Sequence, residues 1–343
     1  MSEQAALILG WRSPELTRDA RLFFSAVRPW GFILFQEACE TPDQVRELVA
    51  SLQAAAGHDA LVFLDQEGGR VARLRPPQWP AFPPAAAYSR LFRRNPSAGV
   101  EACRLGHRLI AHELRLLGVR ANCAPVLDLP AEEADPVIGD RAFGDDARTA
   151  TPLARAAIEG LHAGGVASVI KHIPGHGRAP VDSHKALPRV SADPQALAVD
   201  FEPFRTLAPL APMAMTAHVV YDAFDQERPA TTSARIVSEV IRNQIGFDGL
   251  LITDDIAMGA LEGPWSERTA NCFAAGLDVV LHCSGKLDEM EEVAIAALLL
   301  AGRSLVRAEA ARAIALAPVR AFDPIATREA WRVLLGAEAG VAA

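Results

Sequence analysis

Eight short apolar runs, separated by longer stretches with apolar residues at helical spacing, set the rhythm of this chain. The runs lie at residues 6–9, 31–35, 61–64, 119–123, 167–171, 213–217, 250–253 and 278–282, and each has the length of a strand. Between them, residues 41–56, 100–117, 146–162, 194–207, 233–245 and 266–275 predict helices, with Thr, Ser or Asp near their starts. Gly57, Gly118, Gly164 and Gly276 follow four of these stretches, where a helix end commonly needs a positive φ. A final helical pattern covers 327–335, and the small-residue end after about residue 337 is expected to fray.

Strands alternating with helices imply a parallel sheet, and eight such units predict an α/β fold closed into a single-domain TIM-like (β/α)8 barrel over residues 1–343. An open doubly wound sheet is the competitor. Polar residues decide between them, because barrel enzymes place chemistry at the carboxyl ends of many strands around one mouth. Asp65, Asp128, Lys171 with His172, His218, Asp254 with Asp255, and His282 all stand at or just past strand ends. The Pro-rich segment 75–84 then crosses the barrel rim rather than linking two domains.

Half of the residues are apolar, so a large core is available, and the formal net charge of -8 argues against general binding to nucleic acid or an anionic membrane. A small-molecule or neutral-polymer substrate fits better. No basic region precedes the first apolar run, and no stretch approaches the roughly 20 apolar residues of a membrane span. The chain therefore reads as cytoplasmic and soluble, with no membrane partner, and a monomer is expected. Five widely spaced cysteines without a CxxC pattern suggest buried free thiols rather than disulfides or a cysteine-bound zinc.

Three stretches carry chemistry. In LDQEGGRVAR, Asp65 ends a strand, two glycines allow a tight turn, and Arg70 and Arg73 offer forked donors for sugar hydroxyls or a carboxylate. The alternative is a structural turn in which Arg and Asp pair with each other. Arg141, in DPVIGDRAFG, is by itself a weak signal. In KHIPGHGRAPVDSH, Lys171 and His172 leave a strand and favour a polar ligand over core packing, while His176 can serve only the turn. Asp182 and His184, two apart in an extended loop, share a side, so the carboxylate can orient the imidazole. A histidine titrates near neutrality and suits a group that first gives and later takes a proton. The bland alternative is a pair that fixes the loop.

In LLITDDIAM two adjacent carboxylates cannot both face the barrel axis. Asp254 is taken as the inward one, kept ionised by nearby Lys171 and Arg141 as a carboxylate nucleophile requires, with Asp255 supporting the following turn. Helix capping is the plain alternative for both. A zinc site from His172, His184, His218, His282 and Asp254 is conceivable, although Lys171 would put a cation beside the metal. No metal and no other cofactor is expected.

Together DQEGGRVAR at Asp65, NCAPVLDL at Asn122, DRAFG at Asp140, KHIPGHG with DSH, MTAHVVYDAFDQERPATTS at Met215 and GFDGLLITDDIAM at Gly246 resemble glycoside hydrolase family 3, in its bacterial β-N-acetylglucosaminidase branch. The resemblance runs through most of the chain in family order. It implies a TIM-like barrel and a retaining double displacement, with Asp254 as nucleophile, His184 as acid/base on a mobile loop and Asp182 as its partner. It further implies that Asp65, Arg73, Arg141, Lys171 and His172 hold an N-acetylglucosamine ring. The implied substrate is a small carbohydrate, the GlcNAc end of peptidoglycan fragments such as GlcNAc-anhydromuramyl peptides. Two departures stand out: Arg178, Ala179, Pro180 and Val181 replace a segment that often carries Asp-Thr, and Asp135 stands where Asn is common. Phosphorolysis on the same fold, a zinc-dependent barrel hydrolase and a non-catalytic sugar-binding barrel are the rival functions.

Overall fold

A computed structural model describes residues 3–336, so the end expected to fray lies outside the described residues. Eight parallel strands form one sheet: β1 (Ala5–Trp11), β2 (Pro29–Leu34), β3 (Leu61–Leu64), β4 (Ala121–Asn122), β5 (Ala167–Ile173), β6 (Met213–Thr216), β7 (Leu250–Ile252) and β8 (Val280–His282). Neighbours in sequence are neighbours in space from β1 to β7, and β8 pairs with β1, as in Leu7 with Val280. The Ile252–Val279 bridge joins β7 to the segment entering β8 and completes the ring. The barrel predicted from the apolar runs is therefore the observed fold.

Strand periodicity sorts the core into two layers. Ile8, Ile33, Phe63, Cys123, Val169, Met215, Ile252 and Leu281, one at each strand, meet around the barrel axis. Their neighbours Leu7, Phe32, Leu34, Val62, Leu64, Ile170, Leu251 and Val280 pack outward against the helices. Ala308, Ala311 and Ala315 of the helix Gly302–Ala315 join the inner layer, so this helix plugs one end of the barrel. The polar side chains are left to gather at the other, carboxyl end of the strands.

The expected helices appear as Pro42–Ala56, Pro96–Leu116, Ala147–Ala163, Pro194–Leu207 and Trp265–Ala274, while 233–245 narrows to a π-wound Ile236–Gln244. Thr41, Asn95, Asp146 and Asp193 cap their helices by accepting from backbone N–H groups two or three residues into the first turn. Gly57, Gly118 and Gly276 have the expected positive φ, but Gly164 has φ −86° and the left-handed position falls to Gly165 at 68°. Helices Arg18–Val27, Ala85–Arg94, Leu287–Ile295 and Gly302–Ala315 were not anticipated, whereas the terminal pattern is present as Pro324–Leu335.

The Pro-rich segment folds back over the Gly68–Gly69 turn, where Gly69 N–H donates to the Phe82 carbonyl at 2.8 Å. All five cysteines are buried and unpaired. Among the described residues no helix is long and apolar enough to cross a membrane.

Candidate active site

At the carboxyl end of the strands a cavity of about 920 Å³ opens among Asp65, Arg73, Arg141, Lys171, His172, Asp182, His184 and Asp254, among others. Every residue expected to bind or react therefore lies on one wall or another of the same cavity. Among these eight residues the barrel brings together side chains up to 189 positions apart, Asp65 and Asp254 being the extremes.

The floor is a lattice of alternating charges. Asp65 follows β3 and accepts from Lys171 Nζ at 2.8 Å and from Arg73 Nη2 at 2.9 Å. The short hairpin Gln66–Gly68 with Val71–Ala72 comes next, and Glu67 on it accepts from Lys171 Nζ at 2.7 Å and from Arg141 through Nε at 2.9 Å and Nη2 at 2.8 Å. Burial would raise both carboxyls, but the surrounding cations win and hold Asp65 well below the usual carboxylate range and Glu67 down to about 2. Burial would likewise lower Lys171 and Arg141, and their carboxylate partners raise both instead. The Arg73–Asp65 pair is the turn-closing contact foreseen as the bland alternative, while Arg70 turns away to Asp140 Oδ1 at 2.8 Å.

Lys171 and His172 belong to β5, whose ladder to β6 shifts register between Lys171 and Ile173, and the peptide bond between the two residues is cis. Both side chains line the cavity. The buried Asp128 accepts from His172 Nδ1 at 2.6 Å and from the His176 N–H at 2.6 Å, fixing the imidazole and the start of the following loop with one carboxylate. His176, expected only to stabilise the turn, also reaches Ser183 Oγ through Nε2 at 3.1 Å.

That loop carries the histidine pair. Its root is clamped: Gly177 O accepts from Ala131 N–H at 2.9 Å, Ala179 O from Asp135 N–H at 2.9 Å, and Arg178 forks onto Asp200 at 2.6 and 3.2 Å. Its tip has fewer ties, Ser183 to His176 and the His184 carbonyl to Gly259 N–H at 3.3 Å. Asp182 Oδ1 accepts from both His184 Nδ1 at 2.8 Å and the His184 N–H at 3.0 Å, and the imidazole is 66% exposed. Burial acts to raise the Asp182 carboxyl, but the hydrogen bonds from His184 outweigh it and lower it below the ordinary value.

Asp254 stands two residues past β7, half-buried, with Oδ1 accepting from Asp255 N–H at 2.8 Å. Burial alone would raise it; attraction to His172, His218 and Lys171 and the Asp255 N–H lower it, so the carboxyl is ionised. Arg141, expected to share this task, is engaged by Glu67 instead, because the hairpin carboxylate is nearer to its guanidinium. Asp255 supports the turn as anticipated, its Oδ1 accepting from Ala257 and Cys283 N–H groups, both at 2.9 Å.

The histidines considered for zinc do not converge. His218 is fully buried between Thr231 Oγ1 at 2.7 Å and the Asp255 carbonyl at 3.0 Å, and His282 is buried against the Trp265 ring. Among the described residues, no group of three or more His, Cys, Asp or Glu is placed to hold a metal ion. Glu67 is the main residue that sequence reasoning passed over. The signal was present, since Asp65 and Glu67 are two apart in extended backbone and must share a side.

A parallel barrel with a fixed charge lattice, an ionised carboxylate and a loop-borne histidine at one mouth has the form of a glycoside hydrolase. The chain belongs to glycosyl hydrolase family 3, whose N-terminal domain profile matches residues 27–315. It is 38% identical over 288 residues to a beta-hexosaminidase of Alkalilimnicola ehrlichii, covering 81% of this chain and 80% of that protein. A beta-hexosaminidase of Pseudomonas aeruginosa is 38% identical over 298 residues, 86% of each chain. Among solved structures, NagZ from Neisseria gonorrhoeae in complex with N-trifluoroacetyl-D-glucosamine superposes with a TM-score of 0.84 at 28% identity, covering 98% of both chains.

Proposed function

We propose that this protein is a retaining β-N-acetylglucosaminidase that removes the non-reducing terminal GlcNAc from peptidoglycan fragments such as GlcNAc-1,6-anhydroMurNAc-peptides, acting in the cytoplasm as a monomer. The observation that carries the reading is that Asp254 and the Asp182–His184 pair open into one cavity whose floor is the Asp65, Arg73, Lys171 and Arg141 lattice. The relatives named above support the choice of an N-acetylated hexosamine. The cavity of about 920 Å³ exceeds what one sugar ring fills, which leaves room for an aglycone beyond it.

In this mechanism the lattice and His172 hold the sugar ring. Asp254 attacks the anomeric carbon while His184 Nε2–H protonates the glycosidic oxygen, so the carbon–oxygen bond breaks as the glycosyl ester forms. Asp182, accepting from Nδ1–H, keeps the ring in the tautomer that leaves Nε2 to carry the moving proton. The aglycone leaves, and neutral His184 then takes a proton from water as it attacks the same carbon, releasing GlcNAc and free Asp254.

Turnover of an aryl β-N-acetylglucosaminide tests the reading. Asp254→Asn should lower kcat by about 10,000-fold or more, as loss of a covalent nucleophile does. Near-wild-type turnover of that variant, or release of a sugar 1-phosphate in phosphate buffer, would overturn it.

A further inference from the structure

We infer that Glu67 is a positioning residue for sugar binding, a buried carboxylate that sets Arg141 and Lys171 together in the orientation from which they meet the substrate. The inference rests on the reading above, in which those two cations hold the ring.

Glu67 is itself almost fully buried and is not among the described residues that line the cavity, whereas Arg141 and Lys171 both are. It acts on the ligand only through them. Its Oε1 receives Lys171 Nζ at 2.7 Å and Arg141 Nη2 at 2.8 Å, and its Oε2 receives Arg141 Nε at 2.9 Å. This forked contact uses one edge of the guanidinium and leaves Nη1 on the other, whose protein contact is the Val137 carbonyl at a long 3.4 Å. The two short contacts to the guanidinium both come from Glu67, which therefore sets the plane of Arg141. Lys171 differs, because Asp65 holds it as well at 2.8 Å; two of its three N–H bonds meet carboxylates and one remains for a ligand.

Glu67 can do this because its backbone is pinned. The neighbouring Gln66 N–H donates to Asn122 Oδ1 at 2.9 Å and its carbonyl accepts from Asn122 Nδ2 at 3.0 Å, on the adjacent strand β4. Gln66 Oε1 also accepts from Arg73 and Leu74 N–H groups at 2.9 and 3.0 Å, closing the hairpin on itself. A carboxylate on so rigid a base gives both cations one address.

The test is a double-mutant cycle on steady-state turnover of an aryl β-N-acetylglucosaminide. Glu67→Gln keeps the shape but turns one acceptor into a donor facing cations. It should raise KM roughly 10- to 100-fold, the scale of a lost charge-assisted contact, with kcat within about threefold of wild type. Arg141→Ala should raise KM similarly, and the double variant should be no worse than the poorer single by more than about threefold. If the two effects multiply, or if Glu67→Gln lowers kcat with KM unchanged, Glu67 does not act through Arg141 and the inference fails. Should Glu67→Gln not fold by circular dichroism, Glu67→Asp retains the charge but retracts it by one methylene, and the same pattern is expected. If Arg141→Ala and Lys171→Ala both leave KM at the wild-type value, it is the reading of the sugar site that falls.

Discussion

The two halves of this active site are built to opposite specifications. The floor proposed to hold the sugar is centred on the strand residue Lys171 and is over-connected: Lys171 is 3% exposed at its side chain and touches two carboxylates, each of which touches a further arginine. The histidine proposed to transfer the proton is loop-borne and two-thirds exposed, and among the described residues its ring is held by Asp182. Binding requires a fixed constellation, since an ångström of misplacement loses the geometry. A group that serves as acid in one step and base in the next must admit water between them, so exposure suits it. The contrast separates where the molecule stores stability from where it keeps its chemistry.

Substitutions can break that separation, beginning with the largest expected effect. His184→Ala should lower kcat about 100- to 10,000-fold on a substrate with a poor leaving group, and less on an aryl glycoside with an acidic one, while the melting temperature stays put. A fall in stability on that substitution would show the histidine to be part of the scaffold. Lys171→Met is the converse: it strands Asp65 and Glu67 in the interior and should cost about 3–5 kcal/mol in denaturant unfolding. Unfolding free energy near the wild-type value would mean the lattice is not the rigid half.

The smallest effect concerns Asp255, beside the proposed nucleophile. Burial pushes its carboxyl up from 3.8 to about 6. A carboxyl raised on folding favours the native state below 3.8, and that contribution is lost as pH rises through about 6. Asp255→Asn keeps Oδ1 for the two N–H groups of Ala257 and Cys283 and removes the charge. It should raise the melting temperature by about 3–6 °C near pH 8 and leave it unchanged near pH 3.5, as read by calorimetry. An equal gain at both pH values would show that charge is not the cause.

The strands were legible because each is a local apolar run and the barrel repeats them eight times. The helix Arg18–Val27 was not, since it ends on Arg28 in a left-handed conformation where the pattern offers no glycine to mark a stop. The π-wound Ile236–Gln244 shares apolar spacing with an ordinary helix, and only its backbone bonding sets it apart. Candidate site residues could be named at strand ends, and the Asp182–His184 contact follows from a separation of two. The partners of Arg141 and His172 could not, because Glu67 lies 74 residues away and Asp128 44. Which carboxylate meets which cation is settled by the closure of the barrel, not by any local spacing.

The histidine loop is built as a bridge span, with its near end at Gly177–Ala179 and its far end at Arg189–Val190, which pairs with Val220–Tyr221. At Gly177 a Cβ would fall 1.9 Å from the Leu129 carbonyl oxygen, and the neighbouring Arg178 is bolted to Asp200, so the near pier is built into the barrel. Between the two piers lies the span from residue 181 to 187, where Val181 and Leu187 sit exposed. Lengthening or shortening that span would change where His184 stands over the cavity and leave the charged floor beneath it undisturbed. A side chain at 177 would shift the near pier itself.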